Sequence, residues 1–285
     1  CLVGSEMCIR DSNKDATDRN RTSPFAFTGN KFEFRMVGSS DSIAPANVVL
    51  NTIVAESFKE IADQLDGVEN FDMAVHDLIK KLFTDHHRIV FNGNGYSDAW
   101  VEEAERRGLP NIKSMVDAIP ALTTPKAVKL FESFGVFTEA ELKSRAEIKY
   151  EAYAKAINIE AKTMIDMAGK QIIPSVISYT TELANSVLTV KEAGADASVQ
   201  ADLLAEVSGY LKDMKAAYTK LIDVTAKAAD VTDITEQAKY FRDEVKTTMD
   251  ELRAPADKLE MIVDKEFWPF PSYGCLLYTS DAADE

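Results

Sequence analysis

Cysteine is scarce in this 285-residue chain: there are three, Cys1, Cys8 and Cys275, all near the ends. An odd count without metal-site spacing suggests neither a disulfide framework nor a zinc site. Long apolar runs are missing too; none approaches the roughly 20 residues that span a bilayer. The chain does not open with a basic stretch followed by an apolar core, so no secretory signal is expected. Positive charge is in the minority, with 32 Lys and Arg against 47 Asp and Glu and a net charge of −15. Such acidity disfavours nucleic acid and anionic membranes as partners. There is no internal repeat and no low-complexity segment. Without HExxH-type spacing, the neighbours His86 and His87 read as a surface pair rather than metal ligands. Gly93-Asn94-Gly95 lacks the Lys-Ser/Thr ending of a phosphate loop and reads as a structural turn. What is present is 46% hydrophobic residues, enough for a sizeable core in one or two domains.

The two ends look foreign to what lies between. Read from its ATG, the transposon-type sequencing adapter AGATGTGTATAAGAGACAG encodes Met-Cys-Ile-Arg-Asp and then Ser or Arg, as in Met7 to Ser12. Its reverse complement, read from TGT, encodes Cys-Leu-Leu-Tyr-Thr-Ser, as in Cys275 to Ser280. One inverted DNA sequence thus accounts for both ends, and residues 1–12 and 275–285 are set aside from fold reasoning. The remaining segment, Asn13 to Gly274, has no cysteine, so redox compartment is not indicated. Removing Arg10 and the acids Glu6, Asp11, Asp281, Asp284 and Glu285 leaves 31 basic and 42 acidic residues, a net charge of −11. An open frame at both junctions is expected of a fragment.

Lys31 to Val37 alternates charged and apolar residues with period two, the pattern of a strand between the turn signals Thr28-Gly29-Asn30 and Gly38-Ser39-Ser40. Helical spacing predicts a helix over Asn47 to Leu65, with Val49, Ile53, Ala55, Phe58 and Ile61 on or near one face. Further helices are expected over Met73 to Phe83, from a Ser97 cap through Arg107, and after Thr124-Pro125. From the capping box Thr138-Glu139-Ala140-Glu141 onward, the helical stretches become long. Leu142, Ala146, Tyr150, Tyr153, Ile157, Ala161, Met164 and Ala168 mark the first, and Pro174 kinks or splits the next near Gly169. Val199, Leu203, Val207, Tyr210, Met214, Leu221 and Val224 mark a third. Ile234, Ala238, Phe241, Val245, Met249, Leu252, Leu259 and Ile262 mark a fourth. Gly194 and Ala229 to Thr232 are the expected turns. The stretches lack a strict heptad register, which argues for an antiparallel bundle over a free-standing coiled coil. The fold class is α+β, mostly α, with a domain boundary near Asn111 to Thr124 dividing 13–110 from 111–274.

Glu33 and Arg35 are two apart on the predicted strand, so they leave one face together with Lys31, while Phe32, Phe34 and Met36 leave the other. A strand face presenting Lys, Glu and Arg is either a solvated surface or a polar cleft. Its neighbourhood resembles the end of the glutamine synthetase catalytic domain. There, an Arg-Asn-Arg-Ser type segment precedes a Glu-x-Arg strand and a small-residue loop ending in Asn. Arg19-Asn20-Arg21-Thr22, Phe32-Glu33-Phe34-Arg35 and Ser39 to Asn47 occupy those places. The wording Gly-Asn-Lys-Phe-Glu-Phe-Arg-Met and Leu-Asn-Thr-Ile-Val-Ala-Glu is similar to the type III subfamily. Phe91-Asn92-Gly93-Asn94-Gly95-Tyr96, Asn158-Ile159-Glu160-Ala161, Met164-Ile165-Asp166-Met167 and Trp268-Pro269-Phe270-Pro271 extend the resemblance over nearly all of Asn13 to Gly274.

The resemblance implies an ATP-dependent ligase of glutamate and ammonia, working through a γ-glutamyl phosphate with Mg²⁺ or Mn²⁺. Glu33 matches a carboxylate that binds a catalytic metal, and Arg35 an arginine near the substrate carboxylate and the transferred phosphate. Arg21 matches an arginine on the nucleotide phosphates, and Lys31 a basic position near the nucleotide. Where the family carries a further arginine, this chain has Pro24-Phe25-Ala26-Phe27. The family also implies a cytoplasmic, homo-oligomeric ring with active sites between subunits, and a fragment that is inactive alone. Two other readings stand beside it: a related ligase that couples glutamate to another amine, and a non-catalytic helical scaffold, which Thr138 to Val263 alone would suit.

Overall fold

A computed structural model describes residues 42–91, 94–95 and 97–271, and the backbone alone of 25–27 and 32–34. The two short strands, β1 (Phe25–Phe27) and β2 (Phe32–Phe34), pair antiparallel with Ala26 opposite Glu33. The described chain divides into two units, Cys1–Ser114 with Pro125–Thr138, and Met115–Thr124 with Glu139–Glu285.

In the first unit, α1 runs over Ala44–Leu65. It begins three residues earlier than its spacing predicts because Pro45 sits in the first turn, where its missing N–H costs nothing. The Ser42 hydroxyl accepts from the Ala44 N–H at 3.2 Å. Asn47 therefore belongs to a helix rather than a loop. The next helix, α2 (Phe71–Asp85), is capped by Asn70, whose side chain accepts from the Met73 N–H. In α3 (Asp98–Arg106), Ser97 caps the Trp100 N–H as its position predicts. The expected apolar face of α1 is not a core: Ile53 and Phe58 are exposed, and the one buried residue of the helix is Thr52. Among the described residues of this unit, Phe131 is the fully buried apolar side chain, packed on Phe137 in a helix that starts at Pro125.

The second unit has the core. Besides the single turn α4 (Met115–Ala118), and with α5 (Pro125–Ser133) assigned to the first unit, its described α-helices are four long ones and the short α9. These are α6 (Glu139–Met167), α7 (Ile173–Glu192), α8 (Ser198–Lys227), α9 (Ile234–Tyr240) and α10 (Lys246–Ile262). Helix α6 starts directly after Thr138, and Gly194 ends α7 with φ near +77°, a conformation that residues with a Cβ rarely adopt. Helix α8 is central and packs against α6, α7 and α10.

Pro174 does not break the chain. A π-helical turn, Ala168–Ile172, joins α6 to α7, and the Ile173 N–H donates to the Ala168 carbonyl five residues back. The widened turn absorbs the donor that proline lacks. A second π-helical turn, Phe241–Val245, joins α9 to α10.

The register differs from the sequence expectation. In α8 and just beyond it, Val207, Met214, Leu221 and Ala228 are at most 1% exposed and lie seven apart. So do Ala238, Val245, Leu252 and Leu259 from α9 through α10. A seven-residue repeat is present, with buried or half-buried residues on both flanks of each line. Ala228 carries little apolar signal and borders the expected turn, and flanking apolar residues blur the spacing of the rest. Val199, expected on the core face, is 76% exposed because it falls one position off this line.

Candidate functional site

Of the four residues singled out by sequence, Glu33 lies in β2, with its backbone opposite Ala26. Arg21, Lys31 and Arg35 lie outside the described residues. Elsewhere the polar clusters are built for architecture.

In the first unit, Phe91 stacks on Trp100 with ring centroids 4.0 Å apart, and the Arg107 guanidinium sits 5.5 Å from the Trp100 ring centre. Arg107 donates to the Arg88 and Val90 carbonyls at 3.2 and 2.7 Å, tying the end of α3 to the segment before it. Glu103 accepts from both Arg106 and Arg107 at 2.5–2.6 Å. Those two guanidiniums hold its carboxyl down to about 2, well below the usual carboxylate range. The Ser97 cap is legible in the sequence but this cluster is not, its one visible signal being Trp100 and Arg107 two helical turns apart.

In the second unit, Arg242 bridges Asp243 and Asp117, and so fastens α4 to the π-helical turn. Both carboxylates raise the arginine above its ordinary value. A groove of about 640 Å³ opens between α6 and α8 near the start of α9. Lys155, Asn158 and Lys162 stand on one side of it, and Thr225, Gln237 and Phe241 on the other. Lys155 is held by Glu151 at 2.6 Å. The Gln237 amide donates to the Ala228 and Val231 carbonyls at 3.1 and 3.0 Å. The Thr225 hydroxyl is buried without a hydrogen-bond partner. Among the described residues, no three His, Cys, Asp or Glu side chains come together as a metal cluster, and His86 and His87 are exposed. No described helix is long and apolar enough to cross a membrane.

Known proteins are similar to this chain in sequence. Residues 74–191 match the glutamine synthetase C-terminal domain family. The chain is 37% identical over 274 residues to the type-3 glutamine synthetase of Dictyostelium discoideum, covering 93% of this chain and 37% of that protein. It is 36% identical over 273 residues to a glutamine synthetase of Butyrivibrio fibrisolvens, covering 93% of this chain and 38% of that protein. It is 33% identical over 276 residues to a glutamine synthetase of Bacteroides fragilis (strain YCH46), with the same two coverages, 93% and 38%. The chain thus spans less than two-fifths of the length of the curated relatives it matches. Over residues 74–191 the chain is similar to the glutamine synthetase C-terminal domain, and along nearly its whole length it is similar to type-3 glutamine synthetase.

Proposed function

We propose that the chain is the C-terminal part of a type III glutamine synthetase, an ATP-dependent ligase that joins ammonia to glutamate. The observation that supports this is relatedness over 93% of the chain to three glutamine synthetases, each more than twice its length. In this reading residues 13–110 end the catalytic domain, 111–274 form the helical domain, and 1–12 and 275–285 are adapter-derived.

The reaction has two steps. A γ-carboxylate oxygen of glutamate attacks the terminal phosphorus of ATP, ADP leaves, and γ-glutamyl phosphate forms. The ammonia lone pair then attacks the acyl carbon, the carbon–oxygen bond to phosphate breaks, and phosphate and a proton depart. Both steps spread negative charge over phosphoryl oxygens, which fixed positive groups stabilise. Arg35 sets its planar fork against the substrate carboxylate and the transferred phosphoryl group, and Arg21 holds the nucleotide phosphates. Lys31 adds charge near the nucleotide.

Hard divalent cations take oxygen donors, about six for Mg²⁺, and the Glu33 carboxylate is one such donor. Its chemistry fits Mg²⁺ or Mn²⁺, which when bound neutralise developing phosphoryl charge. The other carboxylates and most of the nucleotide pocket belong to the part of the enzyme beyond this chain. The chain alone is therefore inactive, and the complete enzyme is a cytoplasmic homo-oligomeric ring.

The test uses a complete enzyme, made by replacing the aligned segment of the Dictyostelium protein with residues 13–274. Glu33→Ala should lower glutamine formation by about 10²–10³-fold or more with the melting temperature nearly unchanged. Undiminished activity in that variant removes Glu33 from the metal site. Amide formation with other amines but not ammonia assigns the related ligase activity instead. Glutamine made by residues 13–274 alone contradicts the division of labour.

A further inference from the structure

Threonines inside the long helices return their hydroxyls to the backbone. Thr163, Thr189, Thr219 and Thr248 each donate to the carbonyl four residues earlier, at 2.8–3.0 Å. Thr225 on α8 does not. The residue is 9% exposed, its hydroxyl is shut from water, and no described group pairs with it. A buried hydroxyl left in that state destabilises the fold. Helical threonines divide between two χ1 rotamers, so an unheld hydroxyl is free to turn to a ligand. Thr225 lines the groove between α6 and α8.

Two more donors stand on the α6 wall of that groove. Asn158 and Lys162 are four residues apart, one above the other on one helix face, and neither has a hydrogen bond or ion pair among the described residues. Lys155 on the same wall is held by Glu151 at 2.6 Å, which leaves Lys162 as the uncompensated charge among the lining residues. In a chain of net charge −15, such a cation is a local exception. The rest of the lining is largely apolar, from Ile165, Phe241 and the 40%-exposed Ile222. A volume of about 640 Å³ is within the range that holds small organic molecules, about 300–1,000 Å³.

Three unpaired donors and one free positive charge suit a group with a single negative charge that accepts hydrogen bonds. The apolar lining suits a hydrocarbon body and disfavours inorganic phosphate, which has none. We propose that this groove binds a small organic monocarboxylate, with its body on Ile165, Ile222 and Phe241 and its carboxylate drawn to Lys162, Asn158 and Thr225. The inference does not depend on the glutamine synthetase reading, and glutamine formation has no part in its test.

Isothermal titration calorimetry with octanoate, below its micelle concentration, tests it on the chain. One saturable site is expected. Acetate, which has the charge without the body, and 1-octanol, which has the body without the charge, should each bind about tenfold more weakly or worse. Lys162→Met keeps an apolar stem and removes the charge; it should weaken octanoate about fivefold at low salt and less at high salt. Thr225→Val should weaken octanoate about fivefold while raising the melting temperature, a pair of changes that a purely structural hydroxyl does not give together. Phe83→Ser, in the separate apolar groove of the first unit, should leave octanoate affinity unchanged. The absence of a saturable site overturns the proposal, as does 1-octanol or acetate binding as tightly as octanoate. Unchanged affinity in either Lys162→Met or Thr225→Val overturns it, and so does a loss in Phe83→Ser, which would move the binding to the first unit. The same titration of the Dictyostelium hybrid completes the test: octanoate bound by the chain but not by the folded hybrid means that the groove is covered in the whole enzyme, and overturns it too.

Discussion

The α1–α3 region and the α6–α10 bundle have comparable apolar content but use it differently. In the bundle, Met214, Leu221 and Leu259 are fully buried, and lines of residues seven apart meet across α8 and α10. In α1–α3, Phe58, Phe83 and Ile89 face outward, and order comes from caps and from the Arg107 clamp. Apolar spacing makes a helix in both regions, but a core forms only where a second element brings a matching stripe. One region supplies its own matching stripe; among the described residues the other does not.

The largest expected effect attacks the bundle. Leu252→Ala, at 1% exposure in the line facing α8, should cost about 3–4 kcal/mol in urea unfolding, typical of a cavity left in a closed core. A loss below about 1 kcal/mol would mean that this core is as loosely closed as α1–α3.

Gly169 sharpens the comparison. A Cβ there would lie 2.5 Å from the Tyr218 hydroxyl and 3.0 Å from its ring carbons. Gly169→Ala should therefore destabilise by about 1–2 kcal/mol, the overpacking strain exceeding alanine's better helix propensity. Adding Tyr218→Phe should recover part of that loss, since the ring carbons stay close. A stabilised single variant would show that the helix joint gives freely.

Thr225 works in the opposite direction. Its buried hydroxyl has no partner, so the near-isosteric Thr225→Val should raise stability by about 1 kcal/mol. A loss of similar size would reveal a partner for that oxygen.

The smallest effect belongs to the first unit. Glu103 is held at about 2 in the folded chain against an ordinary 4.5. Its stabilisation is therefore complete above about 4.5 and is lost as pH falls from there toward about 2. Hydrogen-exchange protection around residues 88–107, relative to the intrinsic rate at each pH, should fall over that window, and Glu103→Gln should flatten the change. The bundle, whose core carries no such dependence on this carboxyl, is the internal control.

Much of this was legible in the residues. The Ser97 cap, the starts at Pro125 and Glu139, and Gly194 at a turn follow from local rules that need no distant partner. The α6 stripe from Leu142 to Ala168 is buried or half-buried throughout. Pro174 marked the irregular joint, but only packing chose a π-helical turn over a break. Most residues of the two seven-residue lines are named by helical spacing, Ala238 and Leu259 among them, but their stripes also hold flanking residues such as Tyr210 and Phe241, and Ala228 lies beyond the last apolar residue of its stripe, so burial alone singles the lines out. The family resemblance, carried by short words such as Phe32-Glu33-Phe34-Arg35, agreed with the relatives found along the chain. The roles given to Glu33, Arg35, Arg21 and Lys31 remain proposals.

By itself the sequence determined where helices begin, which stripes are apolar, and which family the chain resembles, because caps, spacing and motif words are local. Tertiary structure decided which stripes are closed. Burial requires two surfaces, and a single helix records only one. Helix α10 runs unbroken through Pro255, against a local preference of about 3 kcal/mol, because that residue is packed in the bundle. Phe83, with the stronger apolar signature, stays outside because the described chain brings nothing to it.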